Sequence, residues 1–150
     1  MAELPTDLHD SVQARLARDE HRYTPSRRRL IDVIASAGRP MTLPDIVASD
    51  PELAQSSAYR NLDVLERSGV IQRITHGGDH THFELAEPLV DHHHHLVCLT
   101  CGRIEDVRLG DEVEEAVDGA FASVAAEAEF TPVHHSLDLH GICSACSAAE

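Results

Sequence analysis

Two cysteine pairs and a run of histidines carry the clearest chemistry in this 150-residue chain. All four cysteines lie in two C-x-x-C motifs, one past the middle of the chain and one near its end: Cys98, Cys101, Cys143 and Cys146. Four thiolates in this pattern suit a tetrahedral Zn²⁺ site. We therefore expect a structural zinc ion that ties the end of the chain to residues 98–101.

Four consecutive histidines occupy positions 92–95, directly before the first cysteine pair. The Leu-Val dipeptide that follows indicates a strand, and side chains in a strand alternate between its two faces. His92 and His94 should therefore face one side, and His93 and His95 the other, so this segment can serve two different metal sites. An expression tag or a solvated polar run is the alternative. A tag belongs at a terminus, whereas this run lies inside the chain.

The net charge of −14 is unevenly distributed. Residues 1–85 contain 10 Arg against 13 acidic residues, a balance of −3, whereas residues 86–150 contain 2 Arg against 13, a balance of −11. Within residues 15–39, seven arginines face three acidic residues, a local balance of +4. This basic stretch is compatible with a polyanionic partner despite the acidic total.

The first seven residues lack the basic and apolar regions of a secretion signal, and no apolar run is long enough to span a membrane. We therefore expect a cytoplasmic protein with no membrane partner. In that reducing compartment, paired cysteines hold a metal more often than they form a disulfide.

Apolar periodicity and capping residues predict four helices followed by a β-hairpin in the front half. The first helix covers residues 7–20, the second begins after the N-cap Thr24, the third after Thr42, and the fourth after Ser56 or Ser57. Strands are predicted at residues 70–75 and 81–85, around a turn at 77–79. Three helices followed by a hairpin is the order of a winged helix-turn-helix domain, which we assign to residues 1–85.

The start of the fourth helix is where a recognition helix meets base edges, and it carries a polar set. Taken alone, the arginines indicate a solvated helical face and Tyr59 a core aromatic residue. Their combination with a basic front and a wing predicts DNA binding instead. The candidate DNA-binding residues are Ser57, Tyr59, Arg60 and Asn61, with Arg22 and Arg27 from the basic stretch.

Residues 86–91 are the predicted hinge, and residues 92–150 form a second, smaller α/β domain. Strands are expected at 94–98, 103–107 and 133–140, with a helix at 111–129. The fold class is therefore α+β. The second domain is too small to bury a large core alone, so zinc should contribute folding energy directly and dimerisation would bury more surface.

On these residues the chain resembles the ferric uptake regulator (Fur) family of metal-sensing bacterial transcription factors. The resemblance implies a winged helix, an α/β dimerisation domain, and a homodimer that binds an AT-rich inverted repeat of double-stranded DNA when loaded with metal. It also implies that Tyr59 and Arg60 contact DNA and that the four cysteines bind structural Zn²⁺. The resemblance covers roughly residues 10–146 and rests on Tyr23 to Arg28, Ser57 to Leu62, Phe83 to Leu85, the histidine run leading into Cys98 to Gly102, His135 to Leu137, and the last cysteine pair.

The resemblance implies two further metal sites. The regulatory site corresponds to Glu84, His93, His95 and Asp106. The family often adds a histidine just before the third helix, where this chain reads Arg39-Pro40-Met41, and His82 or His80, with His76 nearby, is expected to replace it. The additional site corresponds to His92, His94, His135 and either Glu114 or Glu115.

Histidines mixed with carboxylates suit Fe²⁺, Zn²⁺, Mn²⁺ or Ni²⁺. From the commonest role of the family we favour Fe²⁺, with Zn²⁺ next and a peroxide sensor third, and we predict a repressor of iron or zinc uptake genes. A metal storage or delivery protein is the alternative, and it would not need the basic front or Tyr59 and Arg60. An enzyme is not expected, since no general base, phosphate loop or nucleophile elbow accompanies the metal ligands.

Overall fold

The computed structural model describes residues 6–75 and 80–149, and its front half is a helical bundle closed by a small sheet. Thr24 and Thr42 cap the second and third helices as predicted, because their hydroxyl oxygens accept hydrogen bonds from the backbone N–H of Arg27 and Asp45 at 3.3 Å. The elements are α1 (Thr6–Arg18), α2 (Pro25–Ala37), β1 (Met41–Thr42), α3 (Leu43–Ser49), α4 (Gln55–Arg67), β2 (Ile71–Ile74) and β3 (His82–Leu85).

The start of α4 differs from the prediction. The helix begins at Gln55 with Ala54 at the N-cap position, so the prediction of Ser56 or Ser57 as the cap was wrong. The hydroxyl of Ser57 lies inside the first turn and donates to the backbone oxygen of Ala54 at 3.1 Å. Packing explains the earlier start, since buried Leu53 and Ala58 on either side anchor this turn to the core.

The front half has the winged-helix arrangement that its element order predicted. Its sheet has the order β1-β3-β2, with both pairings antiparallel. The two-residue strand β1 was not predicted, because it exists only through its pairing with β3. The predicted turn at 77–79 and His76 lie outside the described residues. The core that joins helices and sheet includes Leu16, Leu30, Ile31, Ile46, Leu62, Leu65 and Val70, all of which are fully buried.

The second half contains another three-stranded sheet, a short 3₁₀ helix (Glu87–Leu89) and two α-helices. Its elements are β4 (His94–Cys98), β5 (Ile104–Val107), α5 (Asp111–Glu127), β6 (Asp138–Gly141) and α6 (Ser144–Ala148). Its sheet has the order β5-β4-β6, with β4 antiparallel to β5 and parallel to β6. Few apolar residues of this half are buried, and Val97 and Ile104 pack against Ile74 of the front half.

The strand predicted at residues 133–140 is shorter than expected and starts at Asp138. Its parallel partner β4 begins at His94, and the first paired position is His95 opposite Asp138. Residues 133–137 therefore have no strand beside them, and Val133 is 92% exposed. No helix within residues 6–75 and 80–149 is both long and apolar enough to cross a membrane.

Candidate metal centres

Among residues 6–75 and 80–149, three groups of side chains are placed so that they could bind a metal, and the four cysteines form the first of them. Their sulfur atoms all lie within 4.8 Å of one another. The Sγ atoms of Cys101 and Cys143 are 3.9 Å apart, which matches the separation of about 3.8 Å that follows from tetrahedral Zn–S bonds of about 2.3 Å. The residues present therefore fit a four-thiolate zinc site, joining the β4–β5 turn to the start of α6.

The electrostatics of the cysteine cluster favour a cation at its centre. Hydrogen bonds from the backbone N–H groups of Cys101 and Cys143, the latter at 3.3 Å, lower the pKa of the Cys98 thiol to about 6. Hydrogen bonding to Cys143 and burial raise the pKa of the Cys146 thiol to about 12. One cysteine is thus prepared as a thiolate, and a divalent ion would allow its neighbours to ionise as well.

The second cluster contains Glu84, His93, His95 and Asp106, and it joins the two halves of the chain. Glu84 lies on β3 in the first sheet, whereas His95 and Asp106 are paired opposite each other on β4 and β5. The Nε2 atoms of His93 and His95 lie 3.1 Å from carboxylate oxygens of Glu84. The same two nitrogens lie 3.7 and 3.8 Å from Oδ1 of Asp106. Two imidazole nitrogens and two carboxylates therefore converge on one point.

The outer nitrogens of these two histidines are also held in place. Nδ1 of His93 lies 3.0 Å from the backbone oxygen of Asp91, and Nδ1 of His95 lies 3.2 Å from Oδ1 of Asp138. An acceptor at Nδ1 assigns the proton to that nitrogen and leaves the lone pair of Nε2 free to bind a metal. The second cluster therefore has the outer hydrogen bonds that metal-ligating histidines usually have.

Burial and hydrogen bonding act in opposite directions on the pKa values of this cluster. Burial raises the pKa of Glu84, but hydrogen bonds from His95 and Gln72 outweigh it and hold that pKa below its usual value. Burial lowers the pKa values of His93 and His95, yet hydrogen bonds outweigh it and raise both. For His93 these hydrogen bonds are to Asp91 and Glu84, and for His95 they are to Glu84 and Asp138. Without a metal, the cluster therefore favours protonated imidazoles around a carboxylate.

The third cluster contains His92, His94, Glu114 and His135. The Nε2 atoms of His92 and His135 are 3.1 Å apart, and Nε2 of His94 lies 2.7 Å from Oε1 of Glu114. Two of the outer nitrogens in this cluster are held by carboxylates: Glu87 contacts Nδ1 of His92, and Asp118 lies 2.9 Å from Nδ1 of His135. Alternate histidines of the run thus lie in two different donor sets, and on α5 Glu114 rather than Glu115 belongs to the third cluster.

The structure does not bring His80 and His82 into the second cluster. His82 precedes Glu84 by two residues on the same strand, so its ring lies roughly 7 Å further along that strand. It is opposite Thr42 of β1, and its Nδ1 is buried without a hydrogen-bond partner in the described part of the chain. Burial lowers the pKa of His82. His80 is exposed at the edge of the residues that the structure describes.

Sequence reasoning missed the residues that orient the ligands. These residues are ordinary acids and amides in the sequence, and only their positions in space identify their role. Asp138 was predicted merely as part of a strand, yet its register opposite His95 places it at the outer nitrogen. The missed residues are Gln72, Glu87, Asp118 and Asp138.

The candidate nucleic-acid face lies at the N-terminal end of α4. Tyr59 is 54% exposed, and Arg60 beside it is exposed as well. Asn61 is half-buried, and its Oδ1 accepts a hydrogen bond from Nε of Arg27 at 3.0 Å. Arg27 also donates to the backbone oxygen of Arg22 at 2.6 Å. Arg27 and Asn61 therefore link α2 to α4, which fixes the angle at which Tyr59 and Arg60 are presented.

Comparisons with known proteins agree with this geometry. A model of the ferric uptake regulator family matches residues 18–140. The ferric uptake regulation protein of Legionella pneumophila is 33% identical over 101 residues, which cover 67% of this chain and 69% of that protein. The peroxide operon regulator of Bacillus subtilis (strain 168) is 28% identical over 135 residues, which cover 86% of each chain.

Among solved structures, the ferric uptake regulator of Helicobacter pylori has the same fold, with a TM-score of 0.74 and 22% sequence identity. The match covers 98% of this chain and 97% of that one. Three functional metal-binding sites are described for the Helicobacter protein. At this identity the match shows the shared fold of the two chains.

Proposed function

The chain belongs to the ferric uptake regulator family, and we propose that it is a metal-responsive transcriptional repressor that binds operator DNA as a homodimer. The observation that carries the proposal is the second cluster. Its carboxylate Glu84 lies on the wing sheet, whereas His93, His95 and Asp106 belong to the other half of the chain. A metal ion bound at this cluster would therefore affect the orientation of the DNA-binding half.

When bound, a divalent ion supplies positive charge and a fixed coordination geometry for the four donors. Glu84 is part of β3, which pairs with β2, the strand that follows the proposed recognition helix α4. Holding Glu84 close to His93 and His95 fixes the angle between the two halves, and so the spacing of the two α4 helices in a dimer. Half-sites one helical turn apart accept only a matching spacing. A full reversal from 1:99 to 99:1 in favour of the competent state requires about 5.5 kcal/mol.

The ligand atoms of the second cluster limit which metal the protein can sense. Two imidazole nitrogens and two carboxylate oxygens suit Fe²⁺ and Mn²⁺ as well as Zn²⁺. A further histidine ligand from position 80 or 82 would shift the site towards Zn²⁺ or Ni²⁺, but neither His80 nor His82 belongs to the cluster. We therefore infer Fe²⁺ as the regulatory ion, Zn²⁺ in the cysteine cluster, and iron uptake genes as the regulated set.

The proposed operator is an AT-rich inverted repeat. Tyr59 presents an exposed aromatic ring at the start of α4, where contact with thymine methyl groups favours A·T pairs. Arg60 beside it supplies a charge for a phosphate or base. An inverted repeat follows from a two-fold symmetric dimer with two such helices.

An exposed apolar surface in the second half supports the homodimer. Of the 17 residues of α5, only Ala125 is buried. Several large apolar side chains of this half are exposed, which is costly in water and typical of an interface. We define this dimer surface by Phe121, Val124, Phe130, Val133, Leu139 and Ile142, each between 41% and 92% exposed.

The direct test is DNA binding by the purified, zinc-retaining protein at one fixed salt concentration. The protein is titrated with anaerobic Fe²⁺, Mn²⁺, Zn²⁺ and Ni²⁺ against an AT-rich inverted repeat. Affinity should rise sharply with Fe²⁺. Arg60→Ala should weaken the metal-dependent complex by about 1–3 kcal/mol.

Arg67→Ala is the matched control, because Arg67 lies at the opposite end of the same helix and pairs with Asp63 at 3.1 Å. Its DNA affinity should stay close to that of the unchanged protein. Metal binding without specific DNA binding to any related repeat would contradict the proposal and favour a metal storage or delivery protein.

A further inference from the structure

A cavity of about 310 Å³ lies beside the second cluster and is lined by both halves of the chain. This volume is at the low end for small-molecule pockets, so the cavity suits a small ligand rather than a large cofactor. Three members of the cluster line it: Glu84, His93 and Asp106. The other charged residues of its lining are Arg39, Asp91 and Arg108.

Two guanidinium groups line this cavity, and neither is strongly engaged elsewhere. Nη1 of Arg39 lies 3.5 Å from the backbone oxygen of Pro40, and among residues 6–75 and 80–149 no carboxylate forms an ion pair with it. Arg108 pairs with Asp91 at 3.2 Å, but the two side chains are 66% and 80% exposed. Such an exposed pair contributes little and rearranges easily. Arg39 in particular is available to bind an anion.

The second cluster also has fewer ligands than a six-coordinate ion requires. The four side chains supply one ligand atom each, whereas octahedral coordination is common for Mn²⁺ and open positions are common for non-haem Fe²⁺. Just before α3 this chain has Pro40, which is fully buried and has no donor side chain. Arg39, next to it, lines the cavity instead.

We propose that this cavity binds a small oxyanion, of the carboxylate or phosphate class, that Arg39 holds against the metal-loaded second cluster. The fork of a guanidinium group matches two oxygens of such an anion. Another oxygen of the anion would complete the coordination that Glu84, His93, His95 and Asp106 begin. The inference rests on the proposed regulatory metal site and adds a co-ligand to it.

Charge explains why the anion would bind only together with the metal. The lining has two guanidinium groups against three carboxylates, a balance of −1 with His93 neutral. A bound divalent ion changes this balance to +1, which suits an anion. Coupling between two ligands is reciprocal, so the anion must tighten metal binding by the same factor.

The test measures Co²⁺ binding to the full-length, zinc-retaining protein, because Co²⁺ reports its coordination through visible absorption. Titrations are made in chloride alone, and then with acetate, succinate or inorganic phosphate at equal ionic strength. A protein-free blank corrects for complexes of Co²⁺ with each anion. The double variant His93→Ala/His95→Ala identifies the part of the signal that belongs to the second cluster.

One anion class should tighten Co²⁺ binding by about 5- to 150-fold, the usual range of coupling between sites, and should change the spectrum. The acetate and succinate arms separate carboxylates from phosphate. Arg39→Gln should abolish the anion effect without weakening binding in chloride alone, because removing a positive charge does not disfavour a cation. A merely structural role for Arg39 would weaken binding in both media. Arg67→Gln, far from the cavity, should keep the anion effect.

Two failures are distinguishable. Co²⁺ binding at the second cluster that no anion alters, or an anion effect that persists in Arg39→Gln, would overturn the inference and leave the proposed function intact. If His93→Ala/His95→Ala instead gave the same Co²⁺ signal as the unchanged protein, the regulatory metal site would be contradicted, and with it both proposals.

Discussion

The carboxylate of Glu84 lies 3.1 Å from Nε2 of His95, although the two residues belong to different sheets. Glu84 is 5% exposed, so this contact is shielded from water. The electrostatic attraction between the two groups is therefore stronger than it would be on the protein surface. It places one ligand of the second cluster on the wing side and the others on the opposite side. The link between metal binding and the orientation of the DNA-binding half depends on this contact.

Glu84→Gln should test whether metal binding at the second cluster controls DNA binding. The amide keeps the size of the side chain but removes the anionic ligand, so affinity for the regulatory ion should fall by at least about 10- to 100-fold, the loss seen even for outer-shell changes. Metal-dependent DNA binding should disappear while the fold is retained. Calorimetric metal titration and a DNA-binding assay on the same sample measure both effects.

Glu105→Gln is the matched control, because Glu105 precedes Asp106 on β5 but pairs with Arg103 outside the cluster. It should behave like the unchanged protein. Repression or DNA binding that remains metal-dependent in Glu84→Gln would show that the cluster is not the sensor.

Metal affinity should rise with pH. Histidines bind a metal only when neutral. Despite burial, contacts with Asp91 and Glu84 raise the pKa of His93 above its ordinary value of 6.5, and contacts with Glu84 and Asp138 do the same for His95. Affinity is therefore lowest below the raised pKa values and increases as the pH passes through them. Calorimetry in buffers of different ionisation enthalpy should also detect protons released by each bound ion.

For the protein without its regulatory ion, the raised histidine pKa values predict that the stability of the fold decreases, rather than increases, with rising pH. The raised histidine pKa values stabilise the fold fully below about pH 6.5, and this contribution is lost as the pH rises through them. The lowered pKa of Glu84 contributes above about pH 4.5 and is lost as the pH falls through it. The increase in Tm on metal addition should therefore grow with pH. A pH-independent increase, or one that is unchanged in His93→Ala/His95→Ala, would contradict this assignment.

Cys101→Ser should remove the zinc ion and unfold the second half of the chain. Cys101 is exposed, so the substitution costs little packing. Structural zinc contributes an apparent free energy of about 10–16 kcal/mol in small zinc-dependent units, and this half buries few apolar residues. Zinc content should fall by one equivalent per chain, and calorimetry should retain only the transition of the winged-helix half.

The matched control is Ser147→Ala, an exposed position on α6 beside Cys146. It should keep full zinc content and the original Tm. If Cys101→Ser did the same, the four sulfurs would not form the structural site.

Val124→Glu should convert the dimer into monomers. Val124 is 63% exposed on α5 within the dimer surface, and a carboxylate buried there without a partner is strongly unfavourable. Sedimentation equilibrium should give a mass near the 16.4 kDa of one chain, against twice that value for the unchanged protein. Ala14→Glu, which adds the same charge at an exposed position of α1, should leave the dimer intact. A dimeric Val124→Glu would place the interface elsewhere.

The sequence by itself determined the features that repeat along the chain. Helix periodicity and the side-chain caps at Thr24 and Thr42 are local, because they involve residues within one turn of each other. The division of the histidine run into two donor sets followed from strand alternation in the same way. The two C-x-x-C motifs identified the cysteine cluster, because few other arrangements bring four thiolates within reach of one ion.

The tertiary structure decided everything that depends on which distant segments meet. Strand pairing, set by residues more than forty positions apart, put Asp138 against His95 and left residues 133–137 outside the sheet. Packing of Leu53 and Ala58 moved the start of α4 to Gln55, against the capping preference of serine. From side-chain type alone His82 was predicted as a ligand, but it lies two residues before Glu84 on β3 and therefore too far along the strand to join the cluster. Side-chain type also did not indicate that Arg39 would line a cavity beside the second cluster. These positions are fixed by non-local contacts, which no short-range pattern in the sequence encodes.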